Sequence, residues 1–267
     1  MKKMSNMEVK KELVNMLKIF NEHCKKNEIE YSLIGGSLIG AIRHNGMIPW
    51  DDDIDIILSK DNYLKLKQTF VNNSNYALVD YDYSNDFYFP FMKLMNLNTR
   101  ANEHNSHKKI KDYGLFIDIF CYTEAPLVEK ERINFFKKIK FVNSLLTITS
   151  PFEKNLTIKV RILRIGKNIL AFILGKNKVH KIEQKLIFSS KYQNSNYIVS
   201  NWPVYSYKQE IQSKNDILEY IDVDFEGLKV RAFKNYDNIL RNTFGNYMKL
   251  PPANKRVNHN MEVFWVE

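Results

Sequence analysis

Aspartates crowd into Asp51-Asp52-Asp53-Ile54-Asp55, directly ahead of the apolar run Ile56-Ile57-Leu58. Read as a strand, this stretch puts Asp51, Asp53 and Asp55 on one face and Ile54, Ile56 and Leu58 on the other. Like charges that close repel unless something positive lies between them. Convergent carboxylate oxygens are what a hard divalent cation such as Mg²⁺ takes, above all one that also holds a substrate phosphate. A solvated acidic turn would instead lead the chain away from the apolar residues. A further carboxylate, Asp118, stands in Gly114-Leu115-Phe116-Ile117-Asp118-Ile119-Phe120, which reads as a central strand buried on both faces. An aspartate there must be paired, hydrogen-bonded or bound to metal, or else cap a nearby loop. Beside Asp53 and Asp55 it would complete a three-carboxylate site and could accept a proton from an attacking hydroxyl.

The elements that must position these groups follow from pattern. Residues 30–34 read as a short strand that stops at Gly35-Gly36, and residues 37–43 have helical apolar spacing. Glycines at such a turn let backbone amides approach a phosphate, with the partial positive charge of a helix N-terminus behind them. Gly-Gly-Ser alone is a weak signal; its place one short helix before the acidic stretch gives it weight. Ser5 and Glu8 form a capping box for a first helix carrying Leu13, Met16, Leu17 and Phe20 on one face. A helix is expected over 61–70. Lys93 sits in a second apolar strand, 91–95, either pointing inward to neutralise a phosphate or facing water from a sheet edge.

The aromatics Tyr83, Tyr88, Trp202, Tyr205 and Tyr207 are of the type that holds a quaternary ammonium, and equally of the type that fills a sheet core or stacks on sugar. The sequence alone assigns none of them to a cage. His104 and His107 have metal-ligand spacing without further ligands nearby, which favours a loop. Long helices are expected over 127–148 and 156–174. The second combines a wide apolar face with Lys159, Arg161, Arg164 and Lys167, and Lys176, Lys178 and Lys181 follow it. It either lies in a membrane interface or is buried with a basic outer edge. Short strands are expected at 197–202 and within 221–233, the latter turning at Glu226-Gly227. A last helix runs from an Asn235 N-cap to Gly245, with Pro251-Pro252 beyond.

Three strings carry a resemblance: GGSLIGAIRHNGMIPWDDDIDIIL at 35–58, YGLFIDIFCYTEAP at 113–126 and FGNYMKLPPANKRVNH at 244–259. They closely resemble the LicD family of bacterial phosphorylcholine transferases, a branch of the nucleotidyltransferase fold to which fukutin-type ribitol-phosphate transferases are distantly related. The resemblance skips the middle of the chain, roughly 127–230. It implies an α/β (α+β) fold, a nucleotidyltransferase-like mixed sheet core flanked by helices, with a mostly helical C-terminal region. It also implies cytoplasmic, Mg²⁺-dependent (or Mn²⁺-dependent) transfer of a phospho-alcohol group from a CDP-alcohol donor to a sugar hydroxyl. By position, Asp53 and Asp55 are the implied metal ligands, Asp118 completes the site, and Asp51 is a further candidate. Gly36 and Ser37 would meet the donor phosphates. Lys93, Arg43, His44, Arg256 and His259 are candidates for donor or acceptor phosphate contacts. Cys121 stands where relatives often have proline.

The expected reaction is transfer of phosphocholine from CDP-choline to a cell-surface glycan (lipopolysaccharide, teichoic acid or capsule) or a lipid-linked glycan precursor. Glycerol, ribitol or ethanolamine phosphate could be carried instead, or a nucleotide moved onto a small molecule. A different class, a non-catalytic protein that binds anionic lipid or nucleic acid, also fits the net charge of +10. The resemblance itself implies no nucleic-acid partner.

At 267 residues with 44% apolar side chains the chain can bury a real core as one compact domain or two small ones. The expected division is a catalytic core over 1–125 and an acceptor-side region over 126–267 packed against it. Two cysteines, Cys24 and Cys121, far apart in the chain, point to a reducing compartment without a disulfide framework. The basic start is followed by a charged amphipathic segment and no run is long enough to span a bilayer. The expected location is therefore cytoplasmic, at the inner face of the membrane if 156–181 touches lipid.

Overall fold

The computed structural model describes residues 1–84, 86–103, 113–147, 150–152, 156–256 and 261–266. In chain order its first part runs β1 (Lys2–Lys3), α1 (Asn6–Lys26), β2 (Ser32–Leu33), α2 (Gly35–His44), β3 (Asp55–Ser59) and α3 (Lys60–Thr69). Then come β4 (Tyr76–Val79), β5 (Met92–Asn96), β6 (Thr99–Glu103) and the long β7 (Phe116–Ala125). A helical layer follows: α4 (Glu129–Leu146), α5 (Ile158–Leu174) and α6 (Lys176–Ile187). The last part holds β8 (Tyr197–Ser200), α7 (Tyr207–Glu210), β9 (Gln212–Ser213), β10 (Tyr220–Phe225), β11 (Leu228–Phe233), α8 (Tyr236–Phe244) and β12 (Met261–Trp265). The fold is thus mixed α/β, as the sequence implied.

Helix α1 begins where the capping box places it. The Ser5 side chain accepts from the Glu8 amide while the Glu8 carboxylate accepts from the Ser5 amide. Its stripe of Leu13, Met16, Leu17 and Phe20 is fully buried in the main core.

The central sheet has the order β2-β3-β7-β5-β4. Strand β7 organises it: β3 lies parallel along one edge, from Asp55 opposite Asp118 to Ser59 opposite Tyr122. Along the other edge β5 pairs antiparallel with the first half of β7 and β8 with the second half, after which β9 adds to β8. Strand β5 is therefore internal, which rules out the edge-strand alternative for Lys93. The acidic strand starts at Asp55, later than the alternation suggested; 51–54 are irregular backbone leading into it. Ile57, on the Asp55 face, is fully buried in a second cluster with Tyr122, Ile198 and Phe233. That face is therefore not polar along its length.

The second half of the chain is stitched to the first by a buried amide. Asn201 donates from Nδ2 to the Pro90 carbonyl (2.7 Å) and accepts from the Cys121 amide (3.0 Å), while Asn143 Nδ2 donates to its carbonyl (2.7 Å). The β10–β11 hairpin turns at Glu226 and Gly227, both at positive φ (51° and 79°), and packs on β2. Helix α8 ends at Gly245 as expected, but Asn235, at its start, makes no side-chain cap bond.

Gly114 shows how closely the strands approach. A Cβ there would lie 2.0 Å from the Asn96 carbonyl oxygen, whereas at Gly166 in α5 it would meet nothing within 4 Å. Gly114→Ala is expected to cost on the order of 2 kcal/mol by overpacking. Gly166→Ala is expected to gain roughly 0.5–1 kcal/mol of helix propensity. Urea unfolding midpoints of the two variants check this; equal midpoints would contradict it.

Candidate active site

The turn and the acidic stretch interlock. Gly35 opens α2 at φ +61°, and a Cβ at Gly36 would stand only 2.6 Å from the Asp51 carboxylate, so the close approach requires glycine. At Gly35 a Cβ would lie 3.3 Å from Oδ2 of Asp55. Two carboxylates therefore rest against the N-terminal turn of α2, where unbonded amides and the helix dipole favour negative charge. Ser37 is buried, and its Oγ accepts the Asp55 amide hydrogen at 2.9 Å, which ties the start of β3 to α2.

Strand register brings the remaining charges together. Asp118 is directly opposite Asp55 on one side and Lys93 on the other, so carboxylate, carboxylate and ammonium lie abreast on three adjacent strands. Lys93 points inward and is only 1% exposed. Its Nζ donates to Asp118 Oδ1 at 2.5 Å. It also lies 3.3 Å from the ring centre of Phe116 and 4.4 Å from that of Phe89. Burial pushes the Asp55 carboxyl well above the usual carboxylate range; the charges of Asp53, Asp118 and Asp51 push the same way, and Lys93 opposes them.

Among the described residues no group of three histidine, cysteine or carboxylate side chains already stands at metal-binding distances. The donor set is nonetheless all carboxylate oxygen, the chemistry that Mg²⁺ and Mn²⁺ take. The upward shift at Asp55, caused first by burial and then by the charges of Asp53, Asp118 and Asp51, is one that such a cation would oppose.

A cavity of about 370 Å³ opens above Gly35, Gly36, Asp51, Asp53 and Asp55. Phe120 and Tyr122 of β7 continue that side along the sheet, and the second half of the chain adds Trp202, Tyr205, Glu210 and Phe244. Tyr205 meets Phe244 edge-on at 5.4 Å, and Trp202 meets Phe91 edge-on at 5.5 Å. Glu210 is fixed by the backbone: its Oε1 accepts the amides of Val204 and Tyr205, each at 2.7 Å. Burial raises its carboxyl pKa although those two bonds pull it down. A capping box of Ser206 and Gln209 sets the short helix that carries it.

Of the aromatics singled out from sequence, Trp202 and Tyr205 line this cavity, whereas Tyr83, Tyr88 and Tyr207 do not. The Tyr207 hydroxyl instead accepts from Arg132 Nε. Glu210, Phe120, Tyr122 and Phe244 were missed. Only the Ser206-x-x-Gln209 capping box, which positions Glu210, was readable in advance.

Arg43, His44 and Arg256 gather elsewhere, around Trp50, and do not line the cavity. Arg43 donates from Nε to His44 (2.9 Å) and from Nη1 to the Tyr247 carbonyl (2.5 Å). The Arg256 guanidinium lies 5.1 Å from the Trp50 ring centre, and Trp50 is the residue before Asp51. Burial, then the Arg43 charge, lowers the His44 pKa. His259, His104 and His107 lie outside the described residues.

Comparison with known proteins places these features. Residues 28–154 match the family described as "LicD/FKTN/FKRP, nucleotidyltransferase domain". Over its whole length the chain is 27% identical to the "Lipopolysaccharide cholinephosphotransferase LicD" of Haemophilus influenzae, with 100% of both chains covered. Over 56 residues it is 41% identical to an uncharacterized protein of Rickettsia prowazekii, covering 21% of each chain. A Rickettsia typhi protein is 39% identical over a stretch of the same length, 21% of this chain and 18% of that one. Residues 28–154, which hold the glycine turn, the acidic stretch and the Asp118 strand, are thus similar to the nucleotidyltransferase domain of that family.

Proposed function

We propose that the chain transfers phosphocholine from CDP-choline to a hydroxyl of a cell-surface glycan, lipopolysaccharide or its precursor, in the cytoplasm. The observation that carries this reading is a single cavity with carboxylates on one side and aromatic rings with a backbone-anchored glutamate on the other. A trimethylammonium cannot donate conventional hydrogen bonds. It is held by ring faces and a nearby negative charge, which Trp202, Tyr205, Phe244 and Glu210 offer together. Of the polar side chains that also line the cavity, Ser200 Oγ accepts the Trp202 amide hydrogen, and Gln212 and Thr243 bond to each other and to the Gln209 carbonyl.

Asp53 and Asp55, with Asp51 beside them, would hold Mg²⁺ or Mn²⁺. When bound, the ion supplies charge neutralisation for the donor diphosphate and the departing CMP. The amides at Gly35 and Gly36 add partial positive charge on the same side of the cavity. The acceptor hydroxyl attacks the distal phosphorus: its oxygen–phosphorus bond forms, the bond to the CMP oxygen breaks, and Asp118 accepts the hydroxyl proton. Lys93, which donates to Asp118 Oδ1, holds that carboxylate in place for the transfer.

Release of CMP from CDP-choline, CDP-glycerol, CDP-ribitol and CDP-ethanolamine, with Mg²⁺ and lipopolysaccharide as acceptor, tests the reading. CDP-choline is expected to be the preferred donor. Asp53→Asn and Asp118→Asn are each expected to lower kcat by about 100-fold or more. Full turnover in both variants would remove the carboxylates from the mechanism.

Trp202→Ala and Glu210→Gln are expected to raise KM for CDP-choline about tenfold with little change in kcat, while leaving CDP-ribitol unaffected. An equal effect on both donors would place the alcohol elsewhere.

The carboxylate crowd also predicts a stability effect. Folding raises the Asp55 pKa, so the folded chain holds that proton more tightly than the unfolded one. Without metal, stability should therefore fall as pH rises out of the ordinary carboxylate range. Asp55→Asn is expected to raise the metal-free Tm by a few degrees, as ΔΔG of about 1 kcal/mol would do. Mg²⁺ or Mn²⁺ should raise the wild-type Tm and have little effect on the variant. A lower metal-free Tm for the variant would mean that neither burial nor repulsion disfavours the Asp55 carboxylate.

A further inference from the structure

Helix α5 is turned the opposite way to a helix in water. Its cationic residues Arg161, Arg164 and Lys167 are half-buried, and Arg164 Nη1 donates to the Ser150 carbonyl at 2.7 Å. The only fully buried residue of the helix is the small Ala171. The apolar stripe faces out: Ile162 is 63% exposed, Ile169 54%, Phe172 87% and Ile173 72%. These positions, with Ile158 and Ile165, fall within one face at 3.6 residues per turn. The alternative of a buried helix with a basic outer edge is thereby reversed.

Each large apolar side chain left in water forgoes the free energy of its burial. A row of them on one helix implies a cover. Among the described residues no helix is long and apolar enough to cross a membrane, so the cover is a surface rather than a span. Charge decides which surface. Helix α5 has no acidic residue, and Lys159 sits on its exposed side. Lys178, Lys181 and Lys185 stand exposed on the adjoining α6. A second copy docked on this face would set lysine against lysine, whereas anionic headgroups would neutralise them. We propose that α5 is a membrane-surface helix, its Ile/Phe stripe lying in the headgroup–acyl boundary of an anionic bilayer and its flanking lysines on lipid phosphates.

Flotation of the full chain with phosphatidylcholine vesicles, and with equimolar phosphatidylcholine–phosphatidylglycerol vesicles, tests this without reference to catalysis. Binding to the anionic vesicles only, weakening steeply with salt, is expected. Ile169→Glu combined with Phe172→Glu should reduce it at least about tenfold. Ile165→Trp provides a readout that does not depend on a charged variant folding: its emission should shift to the blue when anionic vesicles are added. No flotation at low salt, or no shift in that emission, overturns the proposal. So does flotation that survives the double substitution. A dimer in light scattering that Ile169→Glu dissociates, without vesicle binding, would make the face a self-interface instead. Because the readouts are flotation and emission, they stand or fall independently of CMP release.

Discussion

The ion pair between Lys93 and Asp118 is the contact on which the site depends. Aspartates 51, 53, 55 and 118 influence one another at the top of β3 and β7, and without a compensating charge their repulsion would oppose the pairing of those strands. Lys93 supplies that charge from β5, a strand that must be internal for the ammonium to reach. Aromatic rings around its Nζ replace the water it has lost. A buried ion pair of this kind is a poor source of net stability, since desolvation offsets most of its attraction. Its value here is positional: it fixes which strand neighbours β7 and which way the Asp118 carboxylate points.

Much of this was legible in the sequence because it is local. The Ser5–Glu8 capping box, the stop at Gly35-Gly36, the apolar run around Asp118 and the Glu226-Gly227 turn each encode their element over a few residues, and each appears where the pattern put it. The beginning of β3 was misjudged because alternating aspartates mimic a strand while a helix N-terminus, not a neighbouring strand, is what holds them. The inward turn of Lys93 could not be read, because strand order is a long-range property. The same is true of Glu210, whose carboxylate is held by two amides of an irregular segment that no periodicity describes.

The cavity joins two parts of the chain with different jobs. The floor lies wholly within the matched nucleotidyltransferase segment, while Trp202, Tyr205, Glu210 and Phe244 come from beyond it. The charge chemistry and the wall facing it are thus carried by separate stretches, brought together by the Asn201 amide that bonds to both Pro90 and Cys121. A change of the group held against the wall therefore need not disturb the carboxylates, whereas a change at Gly36 would disturb them at once.

The divided edge of β7 has a consequence for how the chain is made. From Tyr122 onward that edge is completed only by β8, which is synthesised after the whole helical layer. Until then a growing chain carries a strand with half of one side bare, the kind of edge that recruits other strands. Helix α4 follows β7 directly and packs on it, so the first segment to leave the ribosome after that strand is also the first to reach it.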